Sequence, residues 1–63
     1  PSRRLCFDDA IVIWRKLLNK EFQNRIAAEF DVNPARVAEI KKGLRFPGSR
    51  EAALRQLGLV SGV

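Results

Sequence analysis

The sequence predicts an all-α fold, a small bundle of about four helices in one domain that covers residues 1–63. Two observations predict it. The apolar residues recur with the period of an α-helix rather than in strand-like alternation, and capping or breaking residues divide the chain at short intervals. A domain of this size buries only about 60% of the surface that its unfolded chain exposes. We therefore expect one core with little stability in reserve.

The first helix is predicted from about Asp9 to Asn19, with Asp8 as its N-cap. The apolar residues on one side of its helical wheel are Phe7, Ala10, Ile11, Trp14, Leu17 and Leu18. This side is wide enough to face a core. Ile13 lies at the edge of the apolar side, whereas Val12 falls on the polar side and is expected to be exposed.

The second and third predicted helices are joined only by the three residues "DVN", numbers 31–33. The apolar line of the second helix consists of Phe22, Ile26 and Phe30. Asp31 tolerates the left-handed conformation that ends a helix, and the apolar Val32 is expected to point inward. Asn33 is a preferred N-cap, and Pro34 suits the first position of the third helix.

The third helix is predicted over about Pro34–Lys42, with Gly43 as its left-handed end. Its inward-facing residues are expected to be Val37, Ile40 and Leu44. The turn "FPGS" then leads to a fourth helix over about Arg50–Leu57, with Ser49 as its cap and Gly58 as its end. Residues expected to pack inward there, or to fold back on the core, are Ala53, Leu54, Leu57, Leu59 and Val60.

The tight connection between the second and third helices predicts a helix-turn-helix, in which two short helices meet at a steep angle. The small Ala27 permits their close approach. Val32 is expected to form the wedge between them with Ile26, Val37 and Ile40. A fixed angle matters because it lets the second of the two helices project far enough to enter a groove.

The segment "QNRIAAEFDVNPARVAEIKK" resembles the helix-turn-helix of bacterial and phage repressors of the lambda and Cro kind. The matching positions are Gln23, Ile26, Ala27, Phe30, Val32, Val37 and Ile40. Asp31 departs from the pattern, because that family usually has Gly there. The ending "KKGLRF" is similar to the "I-x-x-G" ending of such domains. The resemblance implies a bacterial or phage transcription regulator that binds double-stranded DNA with its third helix in the major groove.

Positive charge is concentrated in one part of the chain. Residues 33–50 hold five basic side chains and one acidic one, whereas residues 7–31 hold four basic and five acidic ones. A field of this kind suits contact with a polyanion. A solvated basic face that serves only solubility is the plain alternative.

The outer side of the third helix and the residues after it carry the candidate DNA contacts: Asn33, Ala35, Arg36, Glu39, Lys41, Lys42 and Arg45. Asn and Arg side chains can bind adenine and guanine edges, and Glu can accept from cytosine. We interpret Lys41, Lys42 and Arg45 as phosphate contacts. The small side chain of Ala35 is expected to let the helix approach the DNA closely. Each residue has a structural alternative: Asn33 can serve only as a cap, and Arg36 and Glu39 can pair only with each other for ~0.2–0.5 kcal/mol.

A short basic arm, Arg3 and Arg4, precedes the first helix and can follow a phosphate or enter a minor groove. A frayed chain end is its alternative. Since repressors of this kind pair to span two half-sites, a homodimer is a candidate assembly, and the transcription machinery is a further candidate partner.

Three other functions compete with duplex DNA binding. The first is a helical protein-interaction module that docks through Val12, Ile13 and the fourth helix, and the second is a DNA-packaging adaptor domain. The third, RNA binding, ranks lower because single-stranded recognition uses exposed aromatic residues. The periodicity assigns Phe7, Trp14, Phe22 and Phe30 to the core and leaves only Phe46 free.

The composition argues against catalysis and against metal binding. The chain has no His and a single cysteine, Cys6, which we interpret as a small apolar filler and as typical of a reducing compartment. We expect no enzyme activity, no cofactor, no metal and no small-molecule substrate. The longest apolar run, "AIVIW", is far shorter than the ~20 residues of a membrane span. We expect a cytoplasmic, nucleoid-associated location and, since the chain starts at Pro1 without Met, a fragment of a longer protein.

Overall fold

The computed structural model describes residues 4–58, and its regular secondary structure is entirely helical there. The four helices are α1 (Phe7–Leu18), α2 (Gln23–Glu29), α3 (Pro34–Lys41) and α4 (Ser49–Gln56). Since residues 4–58 contain no strand, the all-α prediction with four helices is confirmed. None of the helices found in this part of the chain has the length and apolar character needed to cross a membrane. Leu59 and Val60, which were expected to fold back on the core, lie outside the described residues.

Helix α1 begins before the residues that were predicted to start it. Its N-cap is Cys6, with an extended backbone (φ −124°, ψ 177°), so the assignment of Asp8 as the N-cap was wrong. Asp9 Oδ2 accepts a hydrogen bond from the Cys6 backbone N–H at 3.0 Å and a weaker one from Cys6 Sγ at 3.4 Å. A carboxylate in the first helical turn that reaches back to the N-cap is the acidic half of a capping box. This contact allows a residue with a weak capping side chain to start the helix.

The core is one cluster of buried apolar side chains to which all four helices contribute. Its members are Ala10, Ile11, Ile13, Trp14, Ile26, Ala27, Phe30, Val32, Val37, Ile40 and Ala53. Helix α1 packs mainly against α4, and α2 mainly against α3. Because Val32 belongs to this cluster, the short α2–α3 connection is held to the body of the domain, as predicted.

Several apolar side chains near helix ends were wrongly predicted to face inward. Those exposed to solvent are Phe7, Phe22, Leu44 and Leu57. Phe22 is 77% exposed because it is the N-cap of α2 and not part of its apolar side. Leu44 is 75% exposed because it follows the left-handed Gly43 and has left the helical period.

Three further residues depart from the predicted packing. Ile13, which was placed at the edge of the apolar side, is fully buried. Leu17 is half-buried against the core, whereas the half-buried Leu54 is not part of the cluster. Val12 is 40% exposed, as expected from its position on the polar side of α1.

The turn before α4 uses two left-handed residues, and only its existence was predicted. Phe46 (φ 55°) packs half-buried against the core, and Gly48 (φ 92°) is the N-cap. Ser49 is therefore the first helical residue rather than the cap, and it is almost completely buried. Its backbone N–H donates to the Phe46 carbonyl at 3.1 Å, which closes the turn.

The helix ends predicted at Asp31 and Gly43 are both left-handed, with φ 55° and φ 80°. The Val32 N–H donates to the Ala27 carbonyl at 3.0 Å, and the Leu44 N–H to the Glu39 carbonyl at 2.9 Å. These bonds satisfy carbonyl groups that the last helical turn leaves unpaired. The chain thereby turns sharply after α2 and again after α3.

Substitutions at these two helix ends are expected to change stability in opposite directions. Asp31→Gly removes the steric cost of a Cβ atom at positive φ and should raise the free energy of unfolding by about 0.5–1 kcal/mol, net of the greater chain entropy of Gly. Gly43→Ala introduces that cost and should lower it by about 1–2 kcal/mol, although no atom lies within 4 Å of the added methyl group. Urea unfolding of both variants checks this, and changes of the same sign would contradict it.

Candidate nucleic-acid interface

The first turn of α3 is formed by an asparagine cap followed by proline. Asn33 Oδ1 accepts a hydrogen bond from the Ala35 backbone N–H at 2.8 Å, which satisfies one of the unpaired donors at the helix start. The structural alternative for Asn33 is thus present in the protein. A bidentate contact to adenine uses both the oxygen and the nitrogen of the amide, so it would have to share Oδ1 with this cap or break it.

A charged triad formed by Arg36, Glu39 and Arg45 occupies the side of α3 away from the core. Glu39 Oε1 lies 3.0 Å from Arg36 Nη1 and 2.9 Å from Arg45 Nε. All three side chains are about one-third to two-fifths exposed. Since exposed ion pairs add little to stability, the triad orients its side chains more than it holds the fold together.

One of the two ion pairs in the triad was considered from the sequence, and the other was not. Sequence spacing suggested a pair between Arg36 and Glu39, three residues apart, as the alternative to base contact, and that pair is formed. Arg45 was expected only as a phosphate contact. It joins the same carboxylate from beyond the end of α3.

Lys41 and Lys42 lie at the C-terminal end of α3, where cations suit the negative end of the helix dipole. Both are exposed, and neither ammonium group forms an ion pair with any of residues 4–58. Their charges therefore remain available to an external anion. Ala35, in the first turn, is exposed as well.

Two buried side chains, Val37 and Ile40, anchor α3 to the core, and each is at most 1% exposed. Arg36 lies one turn before Ile40, and Lys41 lies one turn after Val37. Because residues four apart share a helix face, the two cations flank the buried line on its two sides.

Other basic residues have different surroundings. The Arg50 guanidinium lies 5.9 Å from the centre of the Trp14 ring, a cation–π contact between α4 and α1 that the sequence did not predict. Arg4 is exposed, and Arg3 lies outside the described residues. Lys16 pairs with Glu29 at 3.3 Å and with Glu21 at 3.8 Å. Of the five basic side chains in residues 33–50, Lys41 and Lys42 are therefore the two without an ion pair or ring contact to any of residues 4–58.

A groove beside this end of α3 was also not predicted. The side chains that line it are Trp14, Leu17, Leu18, Lys20, Glu21, Phe22, Gln23 and Lys41. Phe22 is an exposed aromatic residue of its lining, and Lys41 lines it from α3. The position of Phe22 immediately before the first residue of α2 could have indicated this exposure, since an N-cap side chain lies outside the helical period.

In comparisons with known proteins, no family model, no curated protein and no solved structure matches the chain. Among residues 4–58 no group of three or more His, Cys, Asp or Glu side chains could hold a metal ion. What the described residues offer is a short helix with unpaired cations at one end and a charged triad along its outer side.

Proposed function

We propose that the chain is a double-stranded DNA-binding domain in which α2 and α3 act as a helix-turn-helix and α3 enters the major groove. The observation that carries the proposal is the surface of α3. The helix and the residues just after it present four basic side chains against the single carboxylate of Glu39: Arg36, Lys41, Lys42 and Arg45. A basic helix of this kind is the electrostatic footprint expected of a groove-binding element.

The packing around the α2–α3 connection supports the helix-turn-helix. The connection is only four residues long, from the end of α2 at Glu29 to Pro34. Val32 within it is buried, and Ala27, which is 1% exposed, brings no bulk between the helices. A connection that is both short and tied to the core restricts the angle at which α3 projects.

The roles within the proposed interface follow from position. Arg36, near the N-terminal end of α3, is the candidate for reading a base, because that end of a recognition helix meets base edges. Lys41, Lys42 and Arg45 are the candidates for phosphate, and Ala35 lets the helix approach closely. The biological role we propose is a bacterial or phage transcription regulator at the nucleoid, which can act as a homodimer.

Lys41→Ala and Lys42→Ala are each expected to weaken binding to all duplex sequences alike. Each phosphate contact releases counterions, so each variant should reduce the slope of log affinity against log salt by about one. Arg55→Ala, in the last turn of α4, is the matched control, because it removes one exposed charge far along the chain from α3. Fluorescence anisotropy with a random duplex at several salt concentrations measures the slopes. If both lysine variants have the same slope as Arg55→Ala, neither lysine contacts a phosphate.

The protein-interaction alternative is narrowed by the structure. Ile13 is fully buried and cannot dock a partner, which corrects that part of the hypothesis. Val12 and Leu57 are exposed and line a groove with Leu18 between α1 and α4. This surface belongs to a different part of the domain from the charged side of α3, so residue-level mapping separates the two functions.

The sequence argument that ranked duplex DNA above RNA depended on the burial of the aromatic residues. That argument placed Phe22 in the core, but Phe22 is the most exposed large apolar side chain among residues 4–58. Phe46, which was expected to be free, is half-buried against the core. The preference for duplex DNA therefore rests on the basic residues of α3 and of the segment just after it, and no longer on a lack of exposed aromatic residues.

A further inference from the structure

The carboxylate of Glu39 receives two guanidinium groups from different parts of the chain. Arg36 lies one turn earlier on α3, and Arg45 lies in the α3–α4 connection beyond the left-handed Gly43. Both hydrogen bonds end on the same oxygen, Oε1, at 3.0 Å and 2.9 Å. Such charge-assisted bonds have defined geometry, and two of them restrict the rotamers of three long side chains at once.

A carboxylate on a DNA-facing surface is unfavourable unless it has a task, since phosphates repel it. Acceptance from cytosine is one such task. In the triad, however, Glu39 is already an acceptor for two cations. Arg45 donates through Nε and keeps its other N–H groups. The bond nevertheless holds its guanidinium beside the carboxylate of Glu39, whose negative charge repels a phosphate but not a neutral base edge.

We infer that Glu39 is a positioning residue that ties Arg45 to Arg36 and withholds Arg45 from phosphate, which limits binding to non-preferred duplexes. The inference rests on the proposed function. Arg36 keeps further N–H donors for a base edge, because a guanidinium carries five and the triad uses one. A released Arg45 adds a contact that is independent of sequence, so its release strengthens binding to random duplexes more than it improves discrimination.

Glu39→Gln tests this directly, because it removes the charge and keeps the shape of the side chain. The slope of log affinity against log salt should steepen by about one, and affinity for a random duplex at low salt should rise about tenfold. The ratio of affinities for preferred and random duplexes should fall. The double variant Glu39→Gln with Arg45→Ala should return the slope to that of the wild type.

Glu51→Gln is the matched control, since Glu51 is an exposed glutamate in the first turn of α4. It should leave the slope and the affinity ratio unchanged. Thermal unfolding of each variant verifies that the domain remains folded, as the partial exposure of Glu39 leads us to expect.

Two results would overturn the inference while the proposed function stands. One is a Glu39→Gln variant with the same slope and affinity ratio as Glu51→Gln. The other is a loss of preference at a single base pair with unchanged affinity for random duplexes, which would make Glu39 a reader of cytosine. If the wild type binds no duplex at low salt, the proposed function and the inference fall together. The Arg45 Nε–H resonance then still reports whether the triad forms in solution.

Discussion

Ile40→Ala is expected to lower the free energy of unfolding by about 2–5 kcal/mol, the range for truncating a buried isoleucine. Ile40 is 1% exposed and comes from α3, which packs mainly against α2. Its loss removes apolar contacts and leaves a cavity at the centre of a small core. Because domains have only about 5–15 kcal/mol of stability in total, and small ones have the least, this change can unfold a large fraction of the protein.

Urea unfolding followed by the fluorescence of Trp14 measures the effect. Val12→Ala is the matched control: it also truncates a β-branched residue in a helix, but Val12 is 40% exposed. Its change in stability should stay within about 0.5 kcal/mol. A loss below about 1 kcal/mol for Ile40→Ala would mean that Ile40 is not a core residue and that the register of α3 is wrong.

Arg36→Ala is expected to weaken binding to a preferred duplex by about 1–3 kcal/mol and to relax the preference at one base pair, which we expect to contain the guanine that Arg36 reads. The reason is the fit of a guanidinium group to the two acceptors on the major-groove edge of guanine. Arg36 lies near the start of α3, directly before the buried Val37 and after the exposed Ala35. Binding to random duplexes should change little.

Arg36→Lys is the informative companion, because it keeps the charge and removes the planar fork, so it should recover little of the lost preference. The competing account leaves Arg36 paired with Glu39 on a solvated surface. Selection of binding sites from random duplexes decides between them. If the wild type and Arg36→Ala return the same consensus with the same information at every position, Arg36 does not read sequence.

Sequence pattern predicted the central part of the fold because the inward residues follow an uninterrupted helical period within each of α2 and α3. Ala27, Val37 and Ile40 are buried as expected, and the turn residue Val32 joins them. The left-handed Asp31 and Gly43 were predictable because few residue types tolerate positive φ. These local preferences and the overall packing agree.

Helix ends were predicted less well, because periodicity assumes that a helix continues. Phe22 and Leu44 lie just beyond helix ends, so their positions on a helical wheel have no meaning. The start of α1 depends on a contact from Asp9 back to Cys6, which makes a weak cap sufficient. The burial of Ser49 depends on two left-handed residues before it, and Phe46 is not a residue type that indicates one.

For the candidate site, the sequence predicted which charged residues belong to it but not how their side chains contact one another. The spacing of Arg36 and Glu39 allowed their pairing to be considered in advance, since residues three apart share a helix face. Arg45 lies six positions from Glu39, and only the sharp turn at Gly43 brings the two together. A helical wheel therefore could not have indicated the triad.

The central claim, that the outer side of α3 binds duplex DNA, is tested most directly by an NMR titration of the domain with a random duplex at low salt. We predict chemical-shift changes at the amides of residues 33–45, and an affinity that falls steeply as salt rises. The absence of shifts, or shifts confined to the amides around Val12 and Leu57, would contradict the claim.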